Sequence, residues 1–159
     1  GIVEGPVGNK NLVTEVCWTD ELVLVTPPEH PLAGDTTVEP QKIMDYPFIS
    51  REEGSGTREV ISNYLRNHEL AFSAIDLAME FGSPESIKRA VAAGLGISVL
   101  SVATLDKELS LNLLAKTSLN PALTRPFSIV YQRQKFRLRA MEEFLLFIQE
   151  HCERISSES

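Results

Sequence analysis

The chain has 159 residues, of which 43% are apolar, and it carries a net charge of −7. This length is enough for one good hydrophobic core or two small ones. The acidic balance argues against a surface that grips nucleic acid or an anionic membrane, because either one needs a basic face. Two cysteines without metal-ligand spacing are too few for a disulfide framework, and no apolar run is long enough to span a bilayer. The cytoplasm is therefore the expected compartment.

The N-terminal part of the chain predicts strands. Residues 1–6 resemble the tail of a buried strand that lacks its beginning, so we expect a fragment cut inside a domain. Strand patterns follow at residues 12–18 and 21–26, and two prolines stop the second one. Residues 27–35 contain three prolines and a glycine, which is typical of a stiff connector. We interpret this connector as the first crossing between two lobes.

A glycine-rich corner separates a short buried strand at residues 46–49 from a helix at residues 56–69. A helix start leaves backbone N–H groups without partners and carries a partial positive charge, so it accepts a small anion. A plain helix cap is the commoner role of such residues, and this alternative stays open. The corner consists of Gly54, Ser55, Gly56 and Thr57.

Two arginines flank this corner. Arg51 and Arg58 either compensate the charge of an anionic ligand or pair at the surface with one of the three neighbouring glutamates, and the sequence does not choose between these roles. The glutamates are Glu52, Glu53 and Glu59.

The segment after the corner alternates strands and helices. A strand at residues 76–82 leads to Ser83, Pro84 and Glu85, which combine an N-cap, a first-turn proline and a first-turn acid. That helix stops at residues 94–96, and a strand follows at 97–100. Such an order predicts a parallel sheet with right-handed crossovers, whose ligands bind beyond the carboxyl ends of the strands. We therefore expect the corner and the Ser83–Glu85 cap at one edge.

The last third predicts a helix at residues 102–109 and a strand at 111–114. A second proline-bounded connector at 120–126 leads to a strand at 127–131 and a final helix at about 137–151. Two connectors predict two lobes, with crossings near residues 26–32 and 120–128. We assign residues 1–28 and 127–159 to lobe I and residues 29–126 to lobe II, which places the strands at 22–25 and 97–100 in different sheets.

Several motifs together resemble the effector-binding domain of LysR-type transcriptional regulators, and the resemblance covers essentially the whole chain. They comprise residues 2–5, 20–25 running into 28–32, 49–52 with 54–58, 92–97 and Arg125-Pro126 before the last strand. The Gly-Ser-Gly-Thr-Arg form at 54–58 looks closest to the branch that regulates sulfur-assimilation and carbon-fixation genes.

The resemblance implies a fold similar to type 2 periplasmic binding proteins, with two α/β lobes, two crossing strands and a small anionic effector between the lobes. It also implies a homodimer or homotetramer, no cofactor, and DNA contact only through a winged helix-turn-helix domain that precedes this chain. The family's first strand, helix and strand are missing here. The corner residues carry over as effector contacts, whereas Ser83, Glu85, Glu4 and Gly5 are weaker candidates. Arg51 is a further candidate because it flanks the corner.

Two other classes of function are alternatives to this one. A transport solute-binding protein uses the same fold but normally has a secretion signal or a lipidated cysteine, so the N-terminus of the parent gene would separate the two. An enzyme finds little support, because the corner lacks the lysine of a P-loop and the spacing of a nucleophile elbow. The chain's three histidines, His30, His68 and His151, do not form a metal-ligand set.

Overall fold

The computed structural model describes residues 1–4, 11–132 and 139–158. The chain divides into two compact units. Unit 1 comprises Gly1–Asp20 and Arg125–Ser159, and unit 2 comprises Glu21–Thr124.

The strands are β1 (Ile2–Glu4), β2 (Leu12–Thr26), β3 (Thr37–Val38), β4 (Phe48–Arg51), β5 (Leu77–Phe81), β6 (Ser98–Ser101), β7 (Ala115–Leu119) and β8 (Leu123–Gln132). The α-helices are α1 (Gly56–Asn67), α2 (Pro84–Ala92), α3 (Asp106–Ser110) and α4 (Arg139–Glu158). Within the described residues, 3₁₀ helices lie at Pro40–Asp45, Phe72–Ala74 and Val102–Thr104.

The strand-helix order in the middle of the chain forms the predicted parallel arrangement within unit 2. Strand β4 pairs in parallel with β5, and Phe48 forms a parallel bridge with Ile97 on its other side. The Ile49 N–H donates to Ile97 O at 2.8 Å, which fixes this register. Helix α2 packs against these strands and buries Ile87 and Val91 completely. The parallel strand-helix-strand prediction is confirmed.

The position of the first crossing was predicted wrongly. Residues Leu22–Val25 pair antiparallel with β6, in the same sheet, and the first boundary between the units lies after Asp20 rather than at residues 26–32. The physical reason is that prolines end a strand without marking where a lobe ends. All four residues of Leu22–Val25 are at most 1% exposed, since Leu22 and Leu24 pack into one core cluster and Val23 and Val25 into another. A strand buried on both faces is a central strand of its sheet.

The prediction of a strand at residues 111–114 is also wrong. This segment turns after α3, with Asn112 at φ 51°, and β7 begins only at Ala115. Much of the predicted connector at 120–126 is extended, because β8 already begins at Leu123. The second boundary between the units falls between Thr124 and Arg125, inside the predicted range of 120–128.

Unit 1 contains the antiparallel pair of β1 and β8 and the helix α4. Ile2 lies opposite Ile129 in this pair. A small apolar core joins β8 to the helix, with Ile129, Tyr131, Leu145 and Ile148 all buried. The predicted final helix is confirmed, and it continues to Glu158.

Candidate functional site

The glycine-rich corner lies between the last residue of β4 and the first turn of α1, in unit 2. Gly54 has φ +86°, which an L side chain rarely adopts, and this residue turns the chain. Ser55 then occupies the N-cap, where it is 8% exposed, and its carbonyl accepts the helix's first i→i−4 bond from the Glu59 N–H at 3.0 Å. Gly56 and Thr57 are the first two helical residues. The glycine with left-handed backbone is therefore Gly54 and not Gly56.

The two serine caps in this unit differ. The Ser83 hydroxyl accepts a hydrogen bond from the Ser86 N–H at 3.2 Å. This is the ordinary N-cap bond, so Ser83 caps the start of α2 in the usual way. The Ser55 hydroxyl makes no side-chain cap bond, although Ser55 has the extended backbone of an N-cap. Ser55 is therefore a buried N-cap residue whose hydroxyl makes no hydrogen bond to the first turn of α1.

The arginines beside the corner form surface ion pairs. Arg51 binds the Glu52 carboxylate with two N–H groups, at 2.8 and 2.9 Å. Hydrogen bonding from Arg51 lowers the pKa of Glu52, so this carboxylate stays charged. Arg58 donates to Arg51 O at 3.2 Å, pairs with Glu80, and lies over the Phe72 ring. Arg51 thus pairs with one of the three glutamates named from the sequence, whereas Arg58 pairs with Glu80, which is not among them.

The corner and the Ser83–Glu85 cap lie at the same sheet edge, as predicted. Arg51 and Phe81 are register partners at the carboxyl ends of β4 and β5. The Glu52 N–H donates to Phe81 O at 3.2 Å, which carries the contact one residue beyond the strand. Arg51, the corner and the α2 cap are therefore brought together within unit 2.

Glu85 takes part in an ion-pair network that the sequence reading missed. Its carboxylate is 2.8 Å from Lys88 Nζ, which also lies 3.1 Å from Glu108 and donates to Thr104 O at 2.9 Å. Burial alone would lower the pKa of Lys88, but hydrogen bonds to the two carboxylates raise it. The i, i+3 spacing of Glu85 and Lys88 is a signal for one half of this network.

The two remaining candidates belong to unit 1. Glu4 ends β1, where it lies opposite Phe127. Gly5 lies outside the described residues.

The described part of the chain contains neither a metal-binding cluster nor a membrane-spanning helix. No group of three or more His, Cys, Asp or Glu side chains there is arranged to hold a metal ion. None of the helices described is both long enough and apolar enough to cross a membrane.

The α/β fold and the family comparison define the class of protein. The family model described as LysR substrate binding domain matches residues 1–153. The Synechocystis PCC6803 CcmR regulatory domain, solved in complex with 2-PG, superposes with a TM-score of 0.82 at 30% identity, covering 95% of this chain and 72% of that one. The reduced OxyR regulatory domain of Pseudomonas aeruginosa, at 21% identity, has the same fold with a TM-score of 0.72, over 93% and 70% of the two chains.

The chain belongs to the LysR family and has the type 2 periplasmic-binding-protein-like fold of its regulatory domains. It is 38% identical to YeiE of Escherichia coli K12, an uncharacterised HTH-type transcriptional regulator, over 91% of this chain and 48% of that protein. It is 37% identical to the RuBisCO operon transcriptional regulator of Acidithiobacillus ferrooxidans, over 91% and 47%. The chain thus spans about half the length of these relatives, which are named as transcriptional regulators.

Proposed function

We propose that the chain is the ligand-sensing domain of a bacterial LysR-type transcription factor, and that the corner from Gly54 to Thr57 binds a small anionic metabolite. The observation that carries this proposal is the Ser55 hydroxyl, which sits buried at a helix start without making the cap bond. A hydroxyl that accepts no cap bond leaves the backbone N–H groups of the first turn without this acceptor, and its own O–H can donate to an incoming anion.

The start of α1 supplies the rest of an anion site. This helix has 12 residues, so its N-terminal end carries the partial positive charge of a full-length helix. Gly54 has no heavy atom within 4 Å of the place where a Cβ would stand, and this leaves the approach to the corner open. An anionic group there accepts hydrogen bonds from backbone N–H groups at the helix start.

The other candidate contacts are ranked by their present partners. Arg51 already binds Glu52 in a bidentate pair, so it contributes to an anion site by exchanging partners. Ser83 and Glu85 are engaged with Ser86 and Lys88, and we expect smaller effects from them. Glu4 and Gly5 remain proposed contacts of unit 1, and we propose that the two units are the lobes implied by the resemblance.

We propose that DNA binding in the longer protein belongs to a separate winged helix-turn-helix domain, and that the effector modulates it. The net charge of −7 supports this division, because a DNA-binding surface needs a basic stripe. The present chain alone is then expected to show no salt-dependent DNA binding. We place its action in the cytoplasm and propose no catalytic turnover, since relatives are named as regulators. The same names argue against the transport solute-binding alternative.

We also propose a homodimer or homotetramer, with β5 as a contact strand. Within the described residues β5 pairs only with β4, so its other edge offers unpaired backbone groups. Leu77 and Met79 on this strand are 40% and 38% exposed. An edge strand with exposed apolar side chains gains by pairing with a second copy.

The test compares two serine variants of the full chain. Calorimetric titration uses 2-PG, the small molecule in the CcmR complex, beside a panel of small carboxylates and phosphate esters. Ser55→Ala is expected to weaken binding at least about fivefold, the loss of one good hydrogen bond, with little change in melting temperature. Ser83→Ala is the matched comparison, since it removes a real cap and should cost about 1 kcal/mol of stability while weakening binding less than Ser55→Ala does.

Two further changes at the corner complete this test. Gly56→Val is expected to weaken binding sharply, because its side chain crowds the helix start. Thr57→Val is expected to cost on the order of 1 kcal/mol or more of binding free energy, because it removes a hydroxyl. Unchanged affinity in Ser55→Ala, Gly56→Val and Thr57→Val together would make the corner a helix cap only.

A further inference from the structure

An open pocket of about 420 Å³ lies at the C-terminal end of α1, the opposite end from the corner. Its volume lies in the usual range of small-molecule sites. Both charged and apolar side chains line it, and all of them belong to unit 2. The lining residues are Ser62, Arg66, Glu69, Leu70, Ala71 and Phe72, and together they are called the Glu69 pocket.

Glu69 holds an unfavourable backbone conformation in this pocket. It follows the helix end with φ +60°. The Leu70 N–H donates to Leu65 O at 2.9 Å and the Glu69 N–H to Arg66 O at 3.1 Å, which is the Schellman pattern. Glycine usually occupies this left-handed position, because a Cβ there carries a conformational cost.

The two neighbouring helices show what this position ordinarily holds. Helix α2 ends in the same pair of bonds with Gly94 at φ +75°, and α3 ends with Asn112 at φ +51°. Glycine and asparagine are the residues that tolerate this conformation. Glutamate at the end of α1 departs from the residue types that end α2 and α3, and residues that break a local rule concentrate at functional sites.

The charged side chains that line this pocket do not form an ion pair with each other. Arg66 and Glu69 carry opposite charges and are exposed, yet across the described residues they form no ion pair within 4.0 Å. The Arg66 guanidinium gives one of its five N–H groups to Asn63 Oδ1 at 3.0 Å. A cation, an anion and the half-buried side chains of Leu70 and Phe72 therefore line one pocket.

We propose that the Glu69 pocket binds a free α-amino acid with an apolar side chain, separately from the corner. The guanidinium of Arg66 holds the α-carboxylate, as arginine commonly does. The carboxylate of Glu69 holds the α-ammonium group. Leu70 and Phe72 contact the apolar side chain of the ligand. A zwitterion satisfies both charges, whereas a simple acid or amine leaves one of them solvated.

Calorimetry and NMR titration of the full chain test this proposal. The probes are L-leucine, L-methionine and L-phenylalanine, with 3-methylbutylamine and 4-methylpentanoate as analogues of leucine that lack one charged group. At least one amino acid is expected to bind saturably, with each single-charge analogue of leucine at least about fivefold weaker than leucine if leucine binds. Absence of saturable binding by all three amino acids, or equal binding of either analogue, would overturn the proposal.

Variants separate binding from folding. Glu69→Gly is expected to raise the melting temperature, because glycine adopts the left-handed backbone conformation without the cost of a Cβ, and it is expected to abolish binding. Arg66→Gln should weaken binding at least about fivefold. Asn112→Gly makes the matching change at the end of α3 and should leave affinity unchanged. Retained affinity in Glu69→Gly would contradict the proposal. Ser55→Ala is expected to keep amino-acid binding intact, so failure at the corner and failure here are distinguishable.

Discussion

Asp20 Oδ2 accepts a hydrogen bond from Arg125 Nε at 2.9 Å, and this pair joins β2 to β8 at the residues where each strand passes from one unit to the other. Both side chains are buried, at 0% and 9% exposed. The Arg125 guanidinium also lies over the Phe127 ring, which stacks on Trp18. A buried pair has already lost its hydration, so each charge depends on its partner.

Removing one partner of this pair is expected to be strongly destabilising. Arg125→Met leaves the Asp20 carboxylate buried without its guanidinium, and the free energy of unfolding should fall by about 3–5 kcal/mol. The double change Asp20→Leu with Arg125→Met removes both charges and should recover most of that loss. Urea unfolding followed by circular dichroism measures both. A single variant within about 1 kcal/mol of the unaltered chain would mean that the pair is solvated or dispensable.

Local sequence signals predicted helices better than they predicted strand partners. The Ser83-Pro84-Glu85 start of α2 fixes its own position, because capping and proline geometry act within one turn. The apolar run Leu22–Val25 predicts a buried strand, but the same run fits the central strand of either unit. Its pairing with β6 depends on residues more than 70 positions away, which no local pattern contains.

At the candidate site, too, local signals predicted the elements but not the contacts that depend on folding. Ser55 and Ser83 read alike as N-caps, and both occupy that position. The cap bond depends on where the hydroxyl points, and tertiary packing sets that direction. The pairing of Lys88 with Glu108 was missed for a similar reason, since α2 and α3 meet only in the folded chain.

Gly96 is expected to tolerate no side chain. A Cβ at this residue would stand 2.5 Å from Pro47 O, and φ is +156°. That carbonyl accepts the Ile97 N–H at 2.8 Å, so moving it breaks the parallel pairing beside β4. Gly96→Ala should cost at least about 2 kcal/mol of unfolding free energy. Gly34→Ala is the control for chemical denaturation, because nothing lies within 4 Å of its Cβ position, and equal stability of the two variants would be the contrary result.

The Lys88 network predicts a specific acid sensitivity. Burial alone would raise the pKa of Glu108, but the hydrogen bond from Lys88 outweighs it and the pKa is lowered. Because the pKa of Glu108 is lowered in the folded state, its ionised carboxylate stabilises the fold at pH values above its ordinary pKa of 4.5. This stabilisation is lost as the pH falls through the lowered pKa. Lys88→Met should therefore cost about 1–3 kcal/mol near neutral pH and flatten the acid side of the stability profile.

A matched variant isolates the buried half of that network. The Glu85 side chain is 68% exposed, compared with 14% for Glu108, so Glu85→Gln should change stability by less than about 0.5 kcal/mol. Urea unfolding between acidic and neutral pH compares the two variants. A Lys88→Met profile parallel to that of the unaltered chain would show that Glu108 does not depend on the lysine.

The raised pKa of Tyr64 predicts a change in stability at alkaline pH. Burial, and then the charge of Glu39, raise the pKa of its phenol from 10.0 to about 12. Its hydroxyl donates to Pro121 O at 2.7 Å, which ties α1 to the segment before β8. The raised pKa means that this stabilisation is fully present below the unfolded pKa of 10.0 and is lost as the pH rises through the folded value.

Ultraviolet difference absorbance during alkaline titration measures this ionisation directly. One phenol should titrate near its raised pKa of about 12 in the folded chain. Tyr64→Phe should remove that step and cost about 1 kcal/mol near neutral pH, because Pro121 O loses its donor. Glu39→Gln removes the second cause of the shift and should move the midpoint downward without abolishing it. If Tyr64→Phe leaves every phenol transition in place, the group with the raised pKa is not Tyr64.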